Sequence, residues 1–182
     1  TSKGAIDLDG EWAWLGVYPG LSAEVGQEIT PETSAETLRE IADKHHVKID
    51  PNWNAEKLVI EMFGEIVEPT LINPTFVYDY PPAAQPLARQ HRSKPDLIEA
   101  WDLIIGGMER GTAFSELIDP VIQRERLTEQ SLMAAGGDEE AMQLDEDFLR
   151  ALEYGAPPMG GIGLGIDQLV MLFVNTGIRE TI

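Results

Sequence analysis

Hydrophobic positions along the chain follow two periods, and the switches between them mark the elements. Leu38, Ile41 and Ala42 recur at helical spacing behind Thr33 or Ser34, predicting a helix that runs to about His46. Leu58, Val59, Met62, Phe63, Ile66 and Val67 form a broader apolar face, with Asn54 as its cap and Pro69 as its stop. That helix is expected in the core. Pro74 to Tyr80 then reads as a short strand running into Pro81-Pro82. Trp101 to Gly107 and Thr112 to Leu117 are two further strand patterns, separated by the turn-like Glu109-Arg110-Gly111. So short a connection predicts an antiparallel hairpin. After Pro120 a helix of mixed charge extends to Ala135, ended by Gly136-Gly137. Phe148, Leu149, Leu152 and Tyr154 make a short amphipathic helix. Gly160 to Gly165 is a glycine-rich strand entering the apolar helix of Leu169 to Phe173. The first thirty residues, with Trp12, Trp14, Tyr18 and Pro19 among glycines, read as loop and short strands. Hairpins with interspersed helices predict an α+β fold, an antiparallel β-sheet flanked by helices.

Composition narrows what such a fold can do. The 182 residues suit one domain able to bury a core. Thirteen Lys and Arg stand against 32 Asp and Glu, a formal charge of −19, which argues against non-specific binding to nucleic acid or anionic membrane. The absence of Cys removes disulfides, thiolate metal sites and a cysteine nucleophile. No apolar run approaches the roughly 18 residues of a membrane span, and the first residues lack the apolar core of a signal peptide. A soluble, cytoplasmic protein is expected. Because the sequence starts at Thr1 without Met, it is also expected to be a piece of a longer chain.

Four clusters could carry chemistry. The GxGxG spacing at Gly161, Gly163 and Gly165 lets a backbone approach a flat or phosphate-bearing ligand, and equally suits tight strand–helix packing. It is neither a dinucleotide fingerprint nor a P-loop. Asp102, Glu109 and Glu116 sit on the proposed hairpin among apolar residues. They could share a hard cation such as Mg²⁺, or Glu116 beside Phe114 could face a buried cation; the plainer reading is surface charge or a bridge to Arg110. Arg89, His91 and Arg92 form a basic stretch that could face phosphate or be a solvated loop. The six acids in DEEAMQLDED, residues 138 to 147, read as a solvated helix start. His45, His46 and His91 show no metal spacing, and no GxSxG is present.

Four segments in order, NPTFVYDYPPAAQPLAR, WDLIIGGMERGTAFSEL, DEDFLRALEYGAPPMGG and GIGLGIDQLVML, resemble the C-terminal half of the catalytic domain of bacterial lysyl-tRNA synthetase, a class II aminoacyl-tRNA synthetase. The resemblance covers roughly Ala55 to Ile182, with motif 3 at about 160–175; motifs 1 and 2 are expected upstream of Thr1. It implies a protein that activates lysine with ATP and transfers it to tRNA(Lys), working as a homodimer. Asp102 and Glu109 would hold Mg²⁺ at the ATP phosphates, Asp102 standing where glutamate is usual. Glu116 would bind the substrate ε-ammonium and Phe114 wall its stem. Thr112 takes the place of an asparagine that contacts the substrate. Gly163 and Gly165 would lie near the adenosine. Gln168 replaces an arginine that packs on adenine and pairs with the γ-phosphate. ATP then binds differently, or another cation compensates, with Arg89 and Arg92 carrying suitable charge.

The 182 residues alone are expected to be inactive and to expose an apolar surface. No catalytic acid or base is assigned to them. Two rival readings are a paralogue that lysylates a protein or, in a membrane fusion, a lipid, and a degenerate synthetase-like protein that binds without catalysis.

Overall fold

The computed structural model describes residues 5–136 and 141–181. Gly137 and the acids Asp138 to Glu140 lie outside the described residues. Five strands form one sheet in sequence order: β1 (Ala13–Gly16), β2 (Thr75–Tyr78), β3 (Ala100–Ile104), β4 (Glu109–Ser115) and β5 (Gly160–Leu164). Strands β2 to β5 are antiparallel, as expected, but β1 runs parallel to β2. Three helices fill the crossover between those two strands: α1 (Val17–Val25), α2 (Ala35–Lys44) and α3 (Ala55–Ile66). After the sheet's central hairpin come α4 (Pro120–Ala135) and α5 (Glu146–Glu153), and α6 (Ile166–Val174) follows β5.

Of the caps read from sequence, Ser34 (and not Thr33) and Asn54 are observed, and Asp119 and Asp145 cap two further helices. Ser34 accepts from the Thr37 amide at the start of α2, and Asn54 accepts from Lys57 at the start of α3. Asp119 caps α4, with Pro120 in the first helical position, where no amide hydrogen is needed. Asp145, from the acidic run, caps α5.

Two elements depart from expectation. Residues 17–25 form α1 instead of loop and strand. Pro19 stands in the helix's first turn, where its missing N–H forfeits no bond, and Gly20 packs against Leu15 and Phe63. The hairpin turn also lies earlier in the chain. Gly106 and Gly107 have φ of 69° and 67°, a conformation that L side chains resist, so the chain reverses there. Glu109, Arg110 and Gly111 therefore belong to β4. A register shift at Leu103/Ile104 places Glu109 opposite Ile104 and Gly111 opposite Leu103, leaving Arg110 as the extra residue of a β-bulge.

The sheet has two unlike faces. On one, Val77, Ala100 and Ile104 join Val17, Leu21, Leu58, Met62 and Phe63 in the core. On the other, Trp14 stacks on Phe76 with ring centroids 4.6 Å apart, and Phe76 meets Trp101 edge-on at 4.9 Å. Trp14 is 60% exposed. At the β5 end an apolar surface is exposed as expected, including Ile162, Ile166, Phe173 and Val174.

Candidate functional site

Register decides which side chains share a face. Asp102 on β3 is directly opposite Thr112 on β4, which is opposite Gly163 on β5. Ala100, Phe114 and Gly161 form the next row. Directly paired residues project to the same side of a sheet, so Asp102, Thr112 and Phe114 line one surface whose third strand is glycine. The alternation along β4 carries on to Glu116, just past the strand end, where it bridges to Ala88 and its amide donates to the Met159 carbonyl at 3.0 Å.

Glu116 crosses over the glycine strand. A Cβ at Gly161 would lie 2.7 Å from Glu116 Oε1, so the missing side chain is what leaves the carboxylate room. Burial pushes the Glu116 carboxyl above its ordinary range. Among the described residues no Lys or Arg pairs with it.

Asp102 is also pushed up by burial, opposed by the hydroxyls of Thr112 and Tyr80 beside it. The Thr112 hydroxyl is near the carboxyl but outside hydrogen-bond geometry: its buried Oγ1 has no partner in the protein. Burial raises the Glu109 carboxyl as well, and the charges of Asp102 and Glu68 add to the rise. Asp102 and Glu109 therefore stand close enough to repel, with no basic side chain paired to either among the described residues. Hard oxygen donors bearing uncompensated negative charge fit Mg²⁺. Among the described residues no group of three or more metal-ligating side chains is assembled, so a cation here would draw further oxygens from a phosphate ligand or water.

The nucleotide-side candidates meet where β5 enters α6. Gly165 is the residue before the helix, and the Gln168 side chain folds back over it into the space a Cβ would occupy. The Gly165 amide donates to the Arg110 carbonyl at 3.0 Å. Gly163 has Thr112 Cγ2 across from it at 3.8 Å from an ideal Cβ position.

Three basic residues are corrected by the geometry. Arg110 makes no ion pair with the hairpin acids; its guanidinium donates to the carbonyls of Ile105 and Gln168. Arg92 pairs with Glu99 at 3.1 Å; desolvation raises the Glu99 pKa, but the hydrogen bonds from Ser115 and the Arg92 amide and the charges of Arg92 and Arg89 together bring it below the ordinary value. Ser115 alternates with Phe114 and Glu116, so these cations serve the opposite face and do not accompany Gln168.

Tyr80 and Glu68 are neighbours of these carboxylates that the sequence pattern did not single out. Tyr80 is 8% exposed, its phenol pushed well up by burial and by Asp102, Glu68 and Glu109. Strict alternation with Phe76 and Tyr78 does not foretell its place. Asp79 between them has φ of 61°, which breaks the strand's periodicity and turns Tyr80 toward Asp102; Lys94 holds Asp79 there by an ion pair.

Comparison with known proteins identifies the family. The family of class II tRNA synthetases (D, K and N) matches residues 19–182. A lysine–tRNA ligase from Kineococcus radiotolerans is 51% identical over 177 residues, covering 97% of this chain and 35% of the relative. Lysylphosphatidylglycerol biosynthesis bifunctional proteins LysX from Nocardia farcinica and Mycobacterium marinum are each 50% identical over 177 residues, covering 97% of this chain and 16% of the relatives. The chain thus spans about a third of the first relative and about a sixth of the other two. Among the described residues no helix is long and apolar enough to cross a membrane. The chain belongs to the class II tRNA synthetase family of the D, K and N group.

Proposed function

We propose that this class II synthetase chain supplies the amino-acid pocket and one side of the nucleotide site of a lysine-activating enzyme. In that reaction a lysine carboxylate oxygen attacks the α-phosphorus of ATP, the bond to the β-phosphate oxygen breaks, and lysyl-adenylate and pyrophosphate form. The lysyl group then passes to a terminal ribose hydroxyl of tRNA(Lys), breaking the mixed anhydride and releasing AMP. The observation that carries this reading is Glu116: a part-buried carboxylate with no basic partner, laid over Gly161 beside Phe114. Such a group is suited to an ammonium, and the aromatic ring to an aliphatic stem.

The other side chains bind and orient. The buried Thr112 Oγ1 offers a hydroxyl to the substrate. Gly163 and Gly165 let the nucleoside lie close to β5, and Gln168 meets it as a neutral donor and acceptor. Asp102 and Glu109 would hold Mg²⁺, which when bound neutralises charge on the phosphates. Rate enhancement here comes from alignment and charge placement, so no general base is required of the chain.

A second reading concerns the acceptor. Relatives named for tRNA ligation and for lysylphosphatidylglycerol biosynthesis match at nearly the same identity, and both names carry a lysyl group. Activation is common to the two readings, with tRNA preferred as the acceptor and a lipid as the alternative. The test is lysine-dependent ATP–pyrophosphate exchange by the whole protein that bears this chain, followed by transfer of labelled lysine to tRNA or to phosphatidylglycerol vesicles. Exchange that requires lysine and fails in Glu116→Gln is expected. Normal exchange in that variant, or none in the unaltered protein, would overturn the reading.

A further inference from the structure

Arg110 is the one charged residue buried among the described residues. It is 5% exposed, and burial pulls its pKa down with no carboxylate to oppose the shift. Its Nε donates to the Ile105 carbonyl at 3.1 Å and its Nη1 to the Gln168 carbonyl at 2.7 Å. Its own carbonyl accepts from Gly165 at 3.0 Å. One residue therefore ties the hairpin turn, the β-bulge and the first turn of α6 together, through main chain and side chain at once.

A buried guanidinium satisfied only by carbonyls is an unusual investment for a surface-rich acidic chain. A lysine could not span both carbonyls, because its single ammonium lacks the planar fork. An apolar residue would avoid the desolvation but leave the α6 carbonyl and the bulge without that tie. The position also matters. Glu109, a candidate metal carboxylate, precedes Arg110 in the bulge, and Gln168 and Gly165 lie at the nucleotide end of β5. Arg110 is thus bonded to both sides of the site, and its charge is held beside a neutral Gln168.

We propose that Arg110 is a positioning residue that locks the β5–α6 junction to the β-bulge and so sets the nucleotide-binding strand against the metal-binding carboxylates. The proposal rests on the functional reading above for its consequence, and on the geometry alone for the lock. Bulging is what makes the lock possible: the extra residue in β4 turns Arg110 out of the alternation that carries Thr112, Phe114 and Glu116 to the substrate face. Removing the tie frees α6 at its first turn without touching the lysine pocket.

The lock is tested by amide hydrogen exchange on the chain, comparing the unaltered protein with Arg110→Met and Arg110→Lys. In Arg110→Met the amides of Gly165 and Leu169 should exchange about tenfold faster or more, while Ala113 and Phe114 in the β4 ladder keep their protection. Arg110→Lys should fall between, since it retains charge and one bond. Unchanged protection at Gly165, or loss spread evenly through the sheet, would overturn the lock. The consequence is tested in the whole protein by equilibrium binding of Mg·ATP and by exchange kinetics. Arg110→Met should raise the ATP KM about tenfold and leave the lysine KM within about twofold, a split that general unfolding does not produce. Equal change in both, or in neither, would overturn the positioning role. If the unaltered protein binds neither ATP nor lysine, the functional reading falls, and the lock still stands or falls on hydrogen exchange.

Discussion

Replacing Gly161 with alanine should separate the amino-acid pocket from the fold. The new Cβ would lie 2.7 Å from Glu116 Oε1, about 0.7 Å inside the 3.4 Å at which ordinary contact begins. The obstructing group is the end of a flexible side chain, so the carboxylate rotates aside and the strand does not move. Gly161 φ lies outside the left-handed region, and alanine reduces the freedom of the unfolded chain by about 0.4–1 kcal/mol. That gain roughly offsets the local crowding, so thermal stability should change little. Binding should not be spared. A hydrogen bond to a charged partner contributes about 1.5–3 kcal/mol, and misalignment of Glu116 forfeits most of it. At about 1.4 kcal/mol per factor of ten, the lysine KM should rise roughly 10- to 100-fold. The ATP KM should stay near its normal value. The assay is pyrophosphate exchange at varied lysine, with Glu116→Gln as the limiting case. A folded Gly161→Ala protein with a normal lysine KM would show that Glu116 does not face the substrate.

Gly111→Ala should act on stability instead, because its Cβ would meet the Gly163 carbonyl oxygen at 2.8 Å and Leu164 Cδ2 at 2.6 Å; a loss of about 1–3 kcal/mol by urea denaturation is expected, and none would be inconsistent with the β4–β5 register. Asp102 and Glu109 have raised carboxyl pKa values, so the folded protein holds their protons more tightly than the unfolded chain does. Their contribution to stability is therefore lost as pH rises from the ordinary carboxylate range through the raised values, and Asp102→Asn should raise Tm at neutral pH without Mg²⁺ while weakening Mg²⁺ binding; a lowered Tm in well-folded protein would reverse that sign. Gln168→Arg should lower the ATP KM several-fold by adding a charge-assisted partner for phosphate, and an unchanged KM would place Gln168 away from the nucleotide. The 182 residues alone should give no exchange, since β5 is a sheet edge and a ligand there is held from one side; measurable lysine-dependent exchange would refute this.

What the sequence disclosed was what local chemistry determines. Ser34 and Asn54 are competent caps before helical patterns and Pro120 marks a helix start, so α2, α3 and α4 were legible to within a few residues. Residues 17–25 were not, because Pro19 and Gly20 read as breakers unless the helix start is already located. The parallel pairing of β1 with β2 has no local signal at all, since nothing in Ala13–Gly16 names its partner across 58 intervening residues. Strand alternation accounts for Thr112, Phe114 and Glu116 sharing one face with Asp102, while the roles proposed for them rest on the resemblance. The turn was misplaced toward Glu109-Arg110-Gly111, a polar stretch, when the positive φ of Gly106 and Gly107 decides it.

That misplacement matters because the bulge organises the site's charges. Had residues 109–111 formed the turn, Arg110 would be free to neutralise Glu109. In β4 the two are neighbours with opposite fates: Glu109 faces Asp102 and Glu68, raised by burial and like charge, while Arg110 is sealed under α6 on carbonyls. The fold thus withholds its nearest cation from its own carboxylates. Acidity of −19 is in this respect local as well as global: Asp102, Glu109 and Glu116 all have raised pKa values and no basic partner among the described residues. A site built this way is electrostatically unsatisfied until cations arrive; on the proposed reading a hard metal ion would take the Asp102 row and an ammonium would meet Glu116, two rows further along the same sheet face.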